Sequence, residues 1–311
     1  MREISKKTRK QRFDRWVTEG NVQFWLIMAI PFIWLIVFAY LPMGGLALAF
    51  KEYSPRAGIF NSPDVGFKWF VRFLGGPYSK DIILNTVRLG VYSLLVGFPL
   101  PIILAICLNE VSHVRFKKSV QMVTYAPYFI SMVVMVGMMM RIFDLRSGVI
   151  NRIITLFGGR PINFFGESGV FPHLYVWSGV WQGTGYSSII YISALAGVSP
   201  ELKEAAEVDG ATRLQKIWHI DLPGISPTVV MMLIFNVGQM LNIGFEKAYL
   251  MGNPSNRRTA EIISTYLYEV GIKSGNYSYA TAVGLFNSLI SLALFLLVNK
   301  VSKKLADESV F

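Results

Sequence analysis

Six stretches of the chain contain no Asp, Glu, Lys or Arg, and each is at least 21 residues long. About 20 helical residues cross the ~30 Å hydrocarbon layer of a membrane. Lipid offers no partner to an unpaired backbone N–H or C=O group, so such segments are expected to be helices. We therefore predict an all-α integral membrane protein with six transmembrane helices. The predicted cores are residues 23–45, 86–109, 119–140, 173–197, 225–246 and 278–299.

The distribution of Lys and Arg predicts the orientation of these helices. Six spans place both termini on one side, together with the two polar segments 110–118 and 200–222. That side carries 16 Lys and Arg residues, and the other side carries 13 on longer segments. Because cytoplasmic segments are enriched in Lys and Arg, we predict that both termini are cytoplasmic. The predicted division is a cytoplasmic basic tail, residues 1–21, and a six-helix transmembrane domain, residues 22–311. Within the tail, residues 1–15 are expected to lie on anionic lipid.

The overall composition agrees with a membrane protein. Hydrophobic residues make up 53% of the 311 residues, charged residues 16%, and the mean hydropathy is +0.44. A soluble domain averages about 25% charged residues. The net charge of +11 could indicate nucleic-acid binding. The basic residues, however, cluster beside the apolar stretches, so we expect lipid and no nucleic acid as the partner.

No motif for catalysis or for a bound cofactor is found in the sequence. The three histidines are scattered, which gives no metal-ligand spacing. The segment Gly271-Ile272-Lys273-Ser274 lacks the preceding glycine of a Walker A loop. Acidic residues are absent from the six predicted cores, which argues against a proton relay in the membrane. We therefore predict a protein that is not an enzyme and that binds neither metal nor nucleotide itself.

A polar block at residues 199–223 separates the fourth and fifth apolar stretches. Ser199 and Pro200 suit the start of a helix, and Gly210 suits its end. Thr212 can cap a second short helix, and Pro223 marks the entry to the fifth span. The sequence therefore predicts a helix, a glycine bend and a second helix on the cytoplasmic side. This unit either docks on a partner or packs only on its own spans.

The spacing within this block is specific. Glu204-Ala205-Ala206 is followed after three residues by Gly210, then after nine by Ile220, then after one by Leu222-Pro223. This pattern, with Asp209 before the glycine, resembles the EAA signature of permease subunits of binding-protein-dependent ABC importers. The number of apolar stretches and the position of the block also fit that family. The resemblance assigns coupling to an ATPase to seven residues: Glu204, Ala205, Ala206, Asp209, Gly210, Leu222 and Pro223.

The resemblance implies a type I importer permease fold with a cytoplasmic coupling helix between the fourth and fifth transmembrane helices. It also implies a bacterial cell membrane, a second homologous permease subunit and two ATPase subunits, which bind ATP and Mg²⁺. An extracellular binding protein would deliver the substrate. Ala126–Ser131 and Phe164–Gly166 resemble sugar importers, and the chain is similar to the lipoprotein and polysaccharide permeases that import oligosaccharides. The alternatives are an importer for an amino acid or phosphonate and, less favoured, a secondary transporter.

Sugars present apolar faces surrounded by hydroxyl groups, so aromatic rings and side-chain amides inside the spans are candidates for the substrate path. These residues are Trp177, Trp181, Gln182 and Tyr186 in the fourth span, Asn236, Gln239 and Asn242 in the fifth, and Asn287 in the sixth. The spacing of three in the fifth span puts its amides within about 120° of one another on a helix. The alternative for each residue is a hydrogen bond that joins two helices.

Overall fold

The computed structural model describes residues 21–306, and most of the chain within that range is helical. The predicted basic tail, residues 1–21, lies outside the described residues except for Asn21, as does the end of the predicted domain, residues 307–311. The α-helices are α1 (Asn21–Leu35), α2 (Leu41–Met43), α3 (Gly58–Asn61), α4 (Lys68–Leu74), α5 (Ser79–Gly97), α6 (Pro99–Glu110), α7 (Val114–Tyr125), α8 (Met132–Ile142), α9 (Val149–Leu156), α10 (Phe171–Ala196), α11 (Pro200–Val208), α12 (Arg213–Lys216), α13 (Leu222–Gly238), α14 (Phe245–Met251), α15 (Arg257–Ala260), α16 (Ile263–Leu267) and α17 (Tyr277–Ala306). Short 3-10 turns cover Gly44–Phe50 and Ala126–Phe129, and π-turns cover Ile36–Tyr40, Ile217–Asp221 and Tyr268–Lys273.

The first apolar stretch forms one helical rod from Gln23 to Phe50. None of its most apolar 18 residues is buried within the chain, so the rod is apolar on all sides, as expected for a helix surrounded by lipid or by another subunit. Its last turn is different, because Gly44–Phe50 packs against α17 and buries Ala49 completely. This contact attaches the first span to the rest of the bundle.

Four helices are long and apolar enough to cross a membrane, counted over residues 21–306. They are Gln23–Phe50, Ser79–Glu110, Arg213–Gly238 and Tyr277–Lys303. The third predicted span makes a fifth only if a bent pair of helices counts as one span. The predicted core 119–140 is therefore not one continuous helix, because Val114–Phe129 and Met132–Ile142 meet at 100°.

The bend of the third predicted span follows from local chemistry. Pro127 has no backbone N–H to donate to the preceding turn. Ile130 and Ser131 then take extended backbone angles, and the Ser131 hydroxyl accepts a hydrogen bond from the N–H of Val134, which starts α8. The hydrophobic pattern continues through this break, so the pattern alone did not reveal it.

Helix α10 is the central helix of the bundle and packs against α5, α6, α7 and α13. Its 26 residues span about 39 Å at 1.5 Å per residue. It is rich in Gly, Ser and aromatic residues, which suits a helix that faces other helices more than lipid. A side chain at Gly185 would overlap the backbone of Thr124, so this glycine sets the close approach of α10 and α7.

The fifth span also differs from its prediction. Its helix begins at Arg213, runs without interruption through the π-turn before α13, and ends at Gly238 rather than at residue 246. The predicted second short helix is therefore the first turn of this long helix. Pro223 does not break the helix, because the π-turn just before it shifts the hydrogen-bond pattern at the point where the proline lacks a donor.

Candidate functional site: a polar loop and a central cavity

Helix α11 is the first element of the polar block. Pro200 occupies its first position and Glu201 lies in its first turn, where a carboxylate favours the helix dipole. Ser199 stands at the N-cap position, but its side chain makes no capping hydrogen bond. The predicted helix start is therefore correct in position, although the proline rather than a serine cap defines it.

The end of α11 is a Schellman turn centred on Gly210. The N–H of Ala211 donates to the carbonyl of Ala206 at 2.8 Å, and the N–H of Gly210 donates to that of Glu207 at 3.0 Å. Gly210 has a φ of +76°, which other L-residues rarely adopt, while the space around it is open. The backbone angle, rather than crowding, therefore requires glycine here.

Thr212 starts the long helix with a capping box. Its hydroxyl accepts from the N–H of Gln215, and the Gln215 side chain accepts from the N–H of Thr212 at 2.7 Å. The two helical parts of the block are thus separated by only four residues, Asp209 to Thr212. The result is a rigid corner rather than a flexible linker.

Two ion pairs join the two sides of this corner. Lys203 on α11 lies 2.6 Å from Asp221, whose side chain is only 1% exposed. Glu207 accepts from Lys216 at 2.5 Å, and this hydrogen bond and charge lower the pKa of the Glu207 carboxyl. All four charged residues lie within the polar block 199–223, but their positions in the sequence do not reveal which of them pair.

Most of the EAA-type positions lie on the surface of this corner. Glu204, Ala205, Asp209, Gly210 and Pro223 are exposed, whereas Ala206 and Leu222 are half-buried. Several large apolar side chains are exposed beside them, with Val208 at 88%. The others are Leu202, Leu214 and Trp218. A surface that mixes small, charged and exposed apolar residues is suited to contact with another protein.

A cavity of about 380 Å³ lies between α5, α10, α13 and α14. It brings together three of the predicted path residues, the amides Gln182, Asn236 and Gln239. Hydroxyl groups of Ser93, Thr184 and Ser187 belong to the same lining, and none of the lining residues is acidic. The cavity therefore offers amides and hydroxyls in a space that fits several sugar atoms or waters.

The three amides predicted to share one face of the fifth span, Asn236, Gln239 and Asn242, do not form a single surface. Asn236 is on α13, but Gln239 and Asn242 come after the helix end, so the helical spacing argument does not apply to them. Asn242 lies outside the cavity lining; it donates to Gln239 at 3.1 Å and accepts from Asn287 at 3.4 Å. Asn242 and Asn287 thus connect the turn after α13 to α17.

The predicted aromatic residues line two neighbouring cavities. Trp177 and Trp181 line an apolar cavity of about 480 Å³ beside methionines of α8, and Trp177 donates to the hydroxyl of Tyr92. Tyr186 lines a cavity of about 580 Å³ that also reaches Asn236. Its ring stacks on Tyr128, with centroids 3.8 Å apart and planes at 5°. One amide is therefore shared between the central cavity and the stacked tyrosines.

Lys247 is a cavity residue that sequence reasoning missed. It lies on α14, one residue beyond the predicted end of the fifth span, and was counted as part of an external segment. Its side chain is buried; the ammonium group donates to the carbonyl of Tyr175 and lies 4.5 Å from the centroid of that ring. The signal available in the sequence was an adjacent charged pair, Glu246 and Lys247, between the apolar segments Ile243–Phe245 and Ala248–Met251.

The long apolar helices and the polar cavity between them define a multi-pass membrane protein of the transport class. Residues 97–307, more than half of the chain, match the family described as "Binding-protein-dependent transport system inner membrane component". The protein belongs to this family, as the EAA-type pattern predicted. It is a permease subunit, a transport component rather than an enzyme.

Two curated relatives and one solved structure are similar over nearly the whole chain. The polygalacturonan/rhamnogalacturonan transport system permease protein YteP of Bacillus subtilis is 42% identical, over 92% of this chain and 89% of YteP. Protein LplB of the same species is 40% identical, over 95% and 94%. A bacterial alginate ABC transporter, solved in complex with a periplasmic protein that holds an alginate pentasaccharide, matches with a TM-score of 0.87. That match has 36% identity and covers 95% of this chain and 99% of the other. The type I importer permease fold is thereby confirmed.

Proposed function

We propose that this protein is a translocation subunit of an ATP-driven importer for an oligosaccharide, which an extracellular binding protein delivers. The observation that carries the proposal is the central cavity, where Gln182, Asn236 and Gln239 meet several hydroxyl groups between helices. A side-chain amide between membrane-spanning helices costs free energy unless it faces water, protein or a polar ligand. The names of the relatives, which concern polygalacturonan, rhamnogalacturonan and alginate, support a saccharide over an amino acid or phosphonate.

The test of the substrate path is uptake by the complete importer, with its binding protein and ATPase, in proteoliposomes. We expect the double change Asn236→Leu and Gln239→Leu to reduce oligosaccharide uptake strongly, because it removes two cavity amides. Asn242→Leu is the matched control, since that amide lies in the same segment but outside the cavity. If Asn242→Leu reduces uptake and the double change does not, the amides serve contacts between helices rather than the substrate path. Uptake of amino acids or phosphonates instead of sugars would contradict the proposed cargo.

We further propose six spans, with α10 as the fourth and α7 and α8 together as the third, and with both termini in the cytoplasm. Cys107 is the only cysteine in the chain, so single-cysteine labelling in a Cys107→Ser background tests the topology. Val208 and Phe157 are 88% and 89% exposed and lie on opposite proposed sides. A membrane-impermeant maleimide should label Phe157→Cys in intact cells and Val208→Cys only in inside-out vesicles; the reverse result would contradict this topology.

The corner formed by α11 and the start of the long helix is the proposed contact with an ATPase. The complete machine would contain a second permease and two ATPase subunits, and ATP and Mg²⁺ would bind to the latter. The exposure of Glu204, Ala205 and Asp209 beside apolar side chains supports this docking role. Closure of the ATPase pair would move the corner and switch the cavity between the two sides of the membrane.

Substitutions in the corner test this coupling. Gly210→Pro replaces a φ of +76° by one fixed near −65° and removes an N–H that donates to Glu207. Glu204→Lys reverses an exposed charge on the proposed contact surface. We expect both variants to insert into the membrane but to lose the coupling of ATP hydrolysis to uptake. Normal uptake by both variants would refute the assignment.

A further inference from the structure

Lys247 is a buried lysine without a carboxylate partner among the described residues. Its side chain is 4% exposed, and it forms no ion pair with any acidic residue between residues 21 and 306. Its polar contact is with the carbonyl of Tyr175, so one of its three N–H donors is used. A buried charge is strongly unfavourable unless an opposite charge or several hydrogen bonds compensate it.

The surroundings of Lys247 leave room for its ammonium group and direct it towards the cavity. The Tyr175 ring lies beneath it, and a side-chain carbon placed at Gly179 would be 3.0 Å from Nζ. Lys247 and Gly179 both line the central cavity, whose lining contains no acidic residue. The Thr184 hydroxyl of the same lining is buried and has no hydrogen-bond partner among the described residues. The cavity therefore combines a lysine without an ion-pair partner, the unpartnered hydroxyl of Thr184, and three amides that keep part of their hydrogen-bonding capacity.

We propose that Lys247 binds a carboxylate of the transported sugar, so that the importer selects acidic oligosaccharides containing uronate residues. This inference rests on the proposed function and adds the charge of the cargo to it. A carboxylate would supply the missing counter-ion, while Asn236, Gln239 and Thr184 bind the ring hydroxyls that surround it. An amide and hydroxyl cavity without a cation would favour neutral sugars instead.

The test uses the purified membrane complex of permease and ATPase subunits without the binding protein, so that only this complex selects the ligand. Equilibrium dialysis measures binding of radiolabelled trigalacturonate and of its methyl ester, which has the same length but no charge. We expect Lys247→Met to weaken trigalacturonate binding about tenfold to a hundredfold, the range for one hydrogen bond to a charged group. Binding of the ester should change less than about twofold, since its hydroxyl contacts remain.

Two further variants separate charge from structure. Lys247→Arg keeps the cation and should retain most of the preference for the acid. Lys273→Met makes the same substitution at an exposed lysine paired with Glu269, and both ligands should bind as they do to the wild type. Equal losses for acid and ester with Lys247→Met, or no loss for either, would overturn the proposal. If Lys247→Met does not assemble, the wild-type complex and Lys247→Arg provide the test. Binding of the acid no tighter than binding of the ester by the wild type would then overturn the proposal.

The same experiment distinguishes this inference from the proposed function. Binding of neutral oligosaccharides and of the ester, but never of the acid, would refute the role of Lys247 and leave an oligosaccharide importer standing. Binding of neither saccharide, together with uptake of an amino acid or phosphonate, would refute both.

Discussion

The ion pair between Lys203 and Asp221 fastens the first helix of the polar corner to the long helix that follows. The two side chains are 18 positions apart in sequence, and their charged atoms lie 2.6 Å apart. The Asp221 carboxylate is 1% exposed and accepts no hydrogen bond from another group among residues 21–306, so Lys203 alone compensates its charge. The Lys203 side chain is 27% exposed and remains in contact with solvent. The two partners therefore differ in burial, and removing one or the other should lower the stability of the corner by different amounts.

The expected magnitudes follow from this inequality. Removing one partner of a fully buried pair costs about 3–5 kcal/mol, because it leaves an uncompensated buried charge. Since Lys203 is partly solvated, we reduce this and expect about 2 kcal/mol for Lys203→Met, which leaves the Asp221 carboxylate buried alone. Asp221→Asn removes the buried charge itself and leaves a lysine that can turn to water, so we expect about 1 kcal/mol or less. The double variant should cost less than the sum of the two.

Hydrogen exchange of the backbone amides measures these costs where they act. In the purified importer without nucleotide, Lys203→Met should lower the protection of residues 200–208 about 30-fold, which corresponds to 2 kcal/mol. Asp221→Asn should lower it about fivefold or less. Amides of the α5 interior serve as an internal control and should not change. A larger effect from Asp221→Asn than from Lys203→Met, or full additivity in the double variant, would refute this account of the pair.

Three further predictions concern glycines and pH. Gly210→Asn should retain most of the coupling, because Asn tolerates positive φ better than other residues, whereas Gly210→Val should cost about 1–2 kcal/mol in backbone strain and lower the ratio of uptake to ATP hydrolysis. Gly185→Ala should lower the melting temperature of the purified protein by overlap with the backbone of α7, whereas Gly183→Ala, two positions earlier in open space, should not; equal melting temperatures would contradict the close approach. Because the hydrogen bond from Lys216 lowers the pKa of Glu207, their contribution to the corner is present at neutral pH and is lost as the pH falls through that lowered pKa. Exchange protection of the corner should therefore be constant from about pH 6 to 8 and decrease only below the ordinary pKa range of a glutamate, and Lys216→Ala should remove the contribution of Glu207 to this acid transition.

Much of the fold could be predicted because lipid constrains the sequence strongly. The long apolar stretches predicted the rods that begin at Gln23, Ser79 and Tyr277, since each must bury all of its backbone polar groups within a helix. The same logic did not detect the break near Pro127. Both halves of the bent third stretch are apolar. An apolar sequence indicates that a segment lies in lipid or protein, but it does not indicate where the chain changes direction. The end of the fifth helix at Gly238 was missed for the same reason.

The candidate sites were predictable where they depend on local chemistry. Gly210 and Thr212 end and start helices through their own backbone and side-chain geometry, so their roles could be inferred from adjacent residues. The pairing of Lys203 with Asp221 and the burial of Lys247 against Tyr175 depend on how distant segments pack. Spacing along the chain carries no information about such contacts. The charges were therefore visible in the sequence, but not their partners.

The polar corner and the central cavity share one helix, and this gives the proposed coupling a physical route. The helix runs without interruption from Arg213 to Gly238, 26 residues or about 39 Å. Asp221 holds α11 near one end, and Asn236 reaches the cavity near the other. The helix packs against α10 and α17, and close-packed elements transmit displacements to one another. A displacement of α11 by an ATPase would therefore reach Asn236 as a tilt or shift of the whole helix, and no separate relay of side chains through the membrane is needed.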